Sequence, residues 1–283
     1  MSPSPLKSIA AFDTSRESGI AGAAGSLAET GTPPAASIHD RVLSTVAARI
    51  CRTDEGMPEA QDCVELLCDA AVTSDAALDR MLGRMRSQHG LQDADIVDCY
   101  VPAAACRLGT DWTESRRSFA EVTIGTARLI RTVRDISARW SANAAADWRA
   151  PVMLMVVPEA EQHRLGAMVA ASRFRRLGVS VQMLLGAGFS EVIDRAEKGA
   201  FDLISFSLAT RARVEETRRL IQMMRDKVSP LPPLVVGGAI GVGAEELRAH
   251  LGADHVASDP EEALRLCGVN LPKSGSARSG PTG

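Results

Sequence analysis

The sequence predicts an α/β protein in which an N-terminal helical bundle is followed by a five-stranded, doubly wound parallel sheet. Three observations lead there. Apolar residues recur at helix spacing from Ile38 to about Arg139, with few strand signals between them. From Pro151 short apolar runs alternate with helical patterns, which is how strands buried on both faces of a parallel sheet read. The whole is 283 residues with 45% apolar content, enough for about two domains with real cores.

Residues 1–37 are rich in Ala, Gly, Ser, Pro and Thr and read as a disordered leader. Nothing there resembles a helix-turn-helix. The bundle is expected over residues 38–140. Val42, Val46, Ala47 and Ile50 share one helical face. Cys63, Leu66, Leu67 and Ala70 share a second, and Leu78, Met81, Leu82 and Met85 a third. Breaks are expected at Asp54–Pro58 and His89–Leu91. A helix over Asp93–Leu108 contains Pro102, which is expected to kink it. The longest helix is expected over Thr113–Ile136, with Trp112 at its start, and Ala142–Asp147 as a linker.

The sheet is expected within residues 150–270. Its strands are Val152–Val157, Val179–Leu184, Leu203–Ser207, Leu234–Val236 and His255–Ala257. Helices are expected at Leu165–Leu177, Ser190–Lys198, Arg213–Lys227, Ala244–Leu251 and Pro260–Cys267. Residues 271–283, rich in Gly, Ser and Pro, read as a disordered tail.

Composition narrows the function. A net charge of −3 gives no electrostatic reason to expect direct contact with DNA or an acidic membrane. Arg173, Arg175 and Arg176 cluster on one helix and read as a solvated outer face. No run approaches the ~18 apolar residues of a membrane helix, and Met1–Gly31 lacks a secretory core, so a cytoplasmic location is expected. The six cysteines form no CxxC pair and read as small buried hydrophobes, with a redox role for one of them left open.

Three loops at one sheet edge carry the functional signal. The first holds Glu161, His163 and Gly166, directly after the first strand. The second holds Ser205, Ser207 and Leu208, after the third. The third holds Gly237 and Gly238, after the fourth. Open α/β sheets bind ligands at that edge, and an imidazole there can coordinate a metal while a neighbouring carboxylate fixes its tautomer. His39, His89, His250 and His255 have no such context.

The three elements in this order resemble the cobalamin-binding domain family, with DxHxxG after strand one, a Ser-x-Leu element after strand three and Gly-Gly after strand four. The likeness covers about Pro151–Gly268. Glu161 stands where the family usually has Asp, and either Ser205 or Ser207 fills the serine place. The resemblance implies a cobalamin-binding Rossmann-like sheet. His163 would be the lower cobalt ligand, and the nucleotide tail would lie in a slot beside Gly186, Gly237 and Gly238.

Trp112, followed by Glu121 and Val122, resembles the helical module that precedes such domains. By that likeness the bundle is a cofactor cap with Trp112 over the upper corrin face. In the light-sensing CarH type a Glu-His pair follows the tryptophan; here Val122 or Thr123 takes the place of the histidine.

The architecture is most similar to the AerR/PpaA family of photosynthesis antirepressors, which resemble CarH without its DNA-binding domain and are related to the sensor (SCHIC-like) domain of AppA. This implies a non-enzymatic, light- or redox-responsive regulator. It would carry adenosyl-, methyl- or hydroxocobalamin, with heme as the alternative cofactor. The partner would be a PpsR/CrtJ-type repressor. The alternative function is a corrinoid carrier subunit of a methyltransferase or mutase; the chain has no room for a substrate barrel. A metal-free flavodoxin-like module is the third reading, though only Glu159 and Glu161 follow the first strand.

Overall fold

The structure, a computed structural model, describes residues 60–145, 150–158, 164–209, 213–238 and 243–269. The leader, the tail, the helix expected around Val42–Ile50 and the break at Asp54–Pro58 lie outside the described residues.

The bundle comprises α1 (Ala60–Thr73), α2 (Asp75–Ser87), the single turn α3 (Asp93–Asp95), a π-helical turn (Ile96–Tyr100), α4 (Val101–Thr113) and α5 (Phe119–Ala145). Ser74 caps α2 by accepting from Ala77 N at 3.1 Å, which separates it from α1. The break at His89–Leu91 is present. Helical backbone runs on from Asp93 to Thr113, so the distortion expected at Pro102 takes the form of a wider turn. Val101 N reaches Ile96 O, five residues back, immediately before the proline that has no N–H to give.

Two boundaries differ from expectation. Helix α4 continues through Trp112, and the longest helix starts at Phe119, so Trp112 ends one helix instead of beginning the next. Asp111 causes this. It is 4% exposed, and its carboxylate accepts from Arg107 Nε (2.9 Å), Arg116 Nη2 (2.6 Å) and Arg117 Nε (3.1 Å), folding the chain back after α4. A capping box then starts α5: the Glu121 carboxylate accepts from Ser118 N at 2.8 Å, and Ser118 Oγ accepts from Glu121 N. At the other end α5 runs to Ala145, through the start of the expected linker, because Ala-rich sequence favours helix.

The second layer is β1 (Val152–Pro158), α6 (Arg164–Arg176), β2 (Ser180–Ala187), α7 (Phe189–Lys198), β3 (Leu203–Ser207), α8 (Val214–Lys227), β4 (Leu234–Gly237), α9 (Ala244–Leu251), β5 (His255–Val256) and α10 (Pro260–Leu266). All pairings are parallel and the strand order is β2-β1-β3-β4-β5. Alternate residues sort to the two faces. Leu154, Val156, Ile204 and Phe206 pack with α7, α8 and α9. Met153, Met155, Val157 and Val235 pack with α6 and α10. The order in which strands are added reverses between β1 and β3, the switch point where such sheets bind ligands.

Bundle and sheet share packing through α6. Met168 and Val169 belong to the same buried cluster as Leu129, Val133 and Ile136 of α5, and Met183 of β2 packs on it. Ser137 and Ser172 are hydrogen-bonded to each other across the α5–α6 contact. The arginine cluster is not a solvated face. Arg173 and Arg176 pair with Asp98 of the π turn, and Arg175 donates to Val181 O at 3.1 Å. The Arg176 guanidinium also lies 4.7 Å from the Trp140 ring centroid.

Candidate functional site

A cavity of about 320 Å³ opens at the carboxyl edge of the sheet, beneath the switch point. Its floor is Met155, Ser205 and Val235 on three adjacent strands. Helix α6 forms one wall through Gly166, Val169, Ala170 and Arg173, which recur at helical spacing. The facing wall is Ala257 to Pro260 with Ala263 of α10. Ser207, Leu208, Gly237 and Gly238 line its remaining edge.

The lining is mostly apolar, with a few polar groups at fixed places, as expected for a small-molecule slot. Ser205 is the informative one. It is 6% exposed, its hydroxyl makes no hydrogen bond to a described residue, and it lines the cavity. The hydroxyl is therefore available to a ligand atom that enters the cavity. Ser207 is half-buried and also lines the cavity. At Gly166 an added Cβ would meet nothing within 4 Å, so the glycine leaves open space along the α6 wall.

Gly238 also has a job within the chain itself. Gly238 has φ +130°, and a Cβ there would lie 1.7 Å from Leu208 O. Leu208 N also donates to Gly237 O at 2.9 Å. Gly238 therefore lets the two loop backbones pack on each other, which shapes the slot from within the chain. Gly186, expected beside the slot, is instead the extra residue of a bulge in β2, with φ +72° opposite Val157 and Pro158.

Of the sequence-predicted residues, Gly166, Ser205, Ser207, Leu208, Gly237 and Gly238 come together around this one cavity. Glu161 and His163 lie outside the described residues. Trp112, Glu121 and Val122 do not line it. Glu121 is occupied in capping α5, and Val122 packs against the bundle core. Trp112 is half exposed, and its ring centroid is 6.1 Å from that of Phe119, itself 68% exposed. The pair forms an aromatic surface at the α4–α5 turn, anchored by Asp111. Sequence reading missed Phe119, Asp111, Arg173 and Asp259. Ser118-x-x-Glu121 was the available signal for Phe119, since it marks the true helix start.

Burial raises the Asp111 carboxyl, but hydrogen bonds from Arg116, Arg107 and Arg117 outweigh it and hold it below the usual range. Burial pushes the Cys68 thiol up to about 12 and Cys267 up to about 11. Cys63 and Cys106 are raised for the same reason. Among the described residues these thiols are therefore poor nucleophiles, and no group of three His, Cys, Asp or Glu side chains could hold a metal ion. His250 pairs with Glu215 at 2.5 Å on the surface. No described helix is long and apolar enough to cross a membrane.

Residues 151–267 match the family model described as B12 binding domain. A Rhodobacter capsulatus protein, described as an uncharacterized 20.5 kDa protein in the bchF-crtJ intergenic region, is 29% identical over 182 residues, which is 64% of this chain and 94% of that one. A solved structure, the monomethylamine corrinoid protein of Methanosarcina barkeri, superposes with a TM-score of 0.57 at 16% identity, covering 73% of this chain and 97% of that one. That likeness shows the fold, helical bundle included.

Proposed function

We propose that this chain binds a corrinoid and acts as a light- or redox-responsive antirepressor of photosynthesis genes. The observation that carries the binding reading is the slot itself, with the Ser205 hydroxyl free of any described partner on its floor, within the segment that matches the B12 binding domain. Ser205 would donate to an acceptor on the ligand's nucleotide tail. Gly166 leaves the room that a planar base needs, and Met155, Val169 and Val235 exclude water from it. His163 would supply the lower axial nitrogen. Heme draws no support, since it has no tail to use such a slot.

A bound corrinoid supplies an exchangeable axial position and an upper bond that light can break. The exposed Trp112–Phe119 pair would supply the bundle's aromatic contact to the upper face. A ligand that packs differently on those rings in two states would bias the bundle between two arrangements, exposing or hiding a partner surface. The regulatory half of the reading draws on the relative in the bchF-crtJ region, which favours a PpsR/CrtJ-type repressor as partner.

The test is a visible spectrum of the reconstituted protein in dark and light, for wild type and His163→Ala, followed by capture of a purified CrtJ-type repressor. We expect corrinoid bands that change on illumination, a shifted spectrum in the variant, and repressor capture that differs between the two states. No corrinoid uptake would end the binding reading. Uptake with methyl turnover by a methyltransferase and no repressor capture would replace regulation with a carrier function.

A further inference from the structure

We propose that Arg173 is a positioning residue for the slot, holding its two walls and the bundle at the spacing that retains a ligand tail; this rests on the corrinoid reading above. Arg173 lies on α6 two turns beyond Gly166 and lines the cavity. Its side chain is only 16% exposed. Nη2 donates to Glu261 Oε2 of α10 at 3.0 Å, which bridges the two helices that form the cavity walls. Nε stands 3.7 Å from Asp98 Oδ2 in the π turn of the bundle. Arg176, one turn further on, pairs with the same Asp98 and stacks on Trp140 of α5. One guanidinium thus meets the opposite wall and the bundle while its side chain borders the slot.

The position of α10 makes this tie matter. It is a helix of seven residues, held to the sheet face by Ala263 and Leu264 and capped by Asp259, which accepts from Glu262 N at 2.9 Å. Two turns with so little buried surface belong to the easily opened part of a fold. A charged tie from the long, well-packed α6 resists that opening. Asp98 fixes the guanidinium from the other side, so the tie has a defined direction. Parting of the walls would loosen the grip on a ligand tail in the slot, and Arg173 opposes the parting.

The test compares release of hydroxocobalamin and of cobinamide, which has the same ring but no nucleotide tail, from full-length wild type, Arg173→Met, Arg173→Lys and Glu261→Gln. Release is followed by visible absorbance after dilution into a corrinoid scavenger. We expect hydroxocobalamin to leave about 5- to 10-fold faster from Arg173→Met and about 2- to 5-fold faster from Glu261→Gln, with Arg173→Lys between wild type and Met. Cobinamide release is unchanged throughout. Added salt speeds release from wild type and not from Arg173→Met. Equal acceleration for both ligands, or none for either, overturns the proposal. Glu261 is half exposed, so its variant folds and decides the matter should Arg173→Met fail to. Wild type that binds neither ligand refutes the corrinoid reading itself.

Discussion

Filling the slot at Gly166 separates the stability of the protein from its ligand binding. Gly166 is the third residue of α6, in ordinary helical backbone, with nothing within 4 Å of an added Cβ. Glycine in a helix costs about 0.5–1 kcal/mol relative to alanine, with the lower figure apt for a first turn. Gly166→Ala should thus raise the apo Tm by roughly 1–2 °C. Gly166→Leu sends a branched side chain into the 320 Å³ cavity. If the tail buries roughly 100 Å² of apolar surface there, exclusion costs about 2.5 kcal/mol at ~25 cal/mol/Å². That is a loss of about 70-fold in affinity. Thermal unfolding of the apo protein and a visible titration with hydroxocobalamin measure both quantities. Undiminished affinity in a folded Gly166→Leu protein would refute the assignment of the slot to the tail.

Ser205→Ala removes a cavity-facing hydroxyl that no described residue pairs with, so the apo protein should change in stability by less than ~1 kcal/mol while hydroxocobalamin binds several-fold more weakly. Calorimetric titration checks the binding half. Gly238→Ala should destabilise by about 3 kcal/mol through the Leu208 clash and its positive φ, whereas Gly237→Ala, whose Cβ would stand 3.5 Å from Ala257 O, should cost under ~1 kcal/mol in urea melts. Asp111→Asn should cost about 2–3 kcal/mol, less than a fully buried pair because Arg116 is half exposed. The folded Asp111 carboxyl titrates below its unfolded value of about 3.9, so its contribution is complete above that pH and is lost as pH falls through the folded value. Acid melts of the variant should therefore lack that low-pH loss. Cys68, at about 12, should resist alkylation at pH 8 until the protein unfolds, as peptide mapping would reveal.

The α/β layer was legible because each of its elements carries its own signal. Val152–Val157 is a continuous apolar run, and helix α9 falls where its residues were expected, Ala244–Leu251. The edge loops were legible as a set, and six of their residues meet at one cavity. Arg173 and Arg176 were misread because spacing on one helix reports nothing about Asp98 or Glu261, which lie 78 and 88 residues away from their respective partners. The start of the longest helix was misplaced because apolar periodicity runs through Trp112 and Phe119 alike. The three-arginine embrace of Asp111, with the Ser118–Glu121 capping box after it, turns the chain between them. The widened turn before Pro102 left no mark beyond the proline itself.

The shared packing along α6 has a consequence for modularity. Met168 and Val169 face the bundle while Ala167, Ala171 and Phe174 face the sheet, so this one helix is interior to both halves. Neither half can be cut away without baring a greasy seam. Any displacement of α6 against the sheet is therefore felt by the helices that pack on its other side.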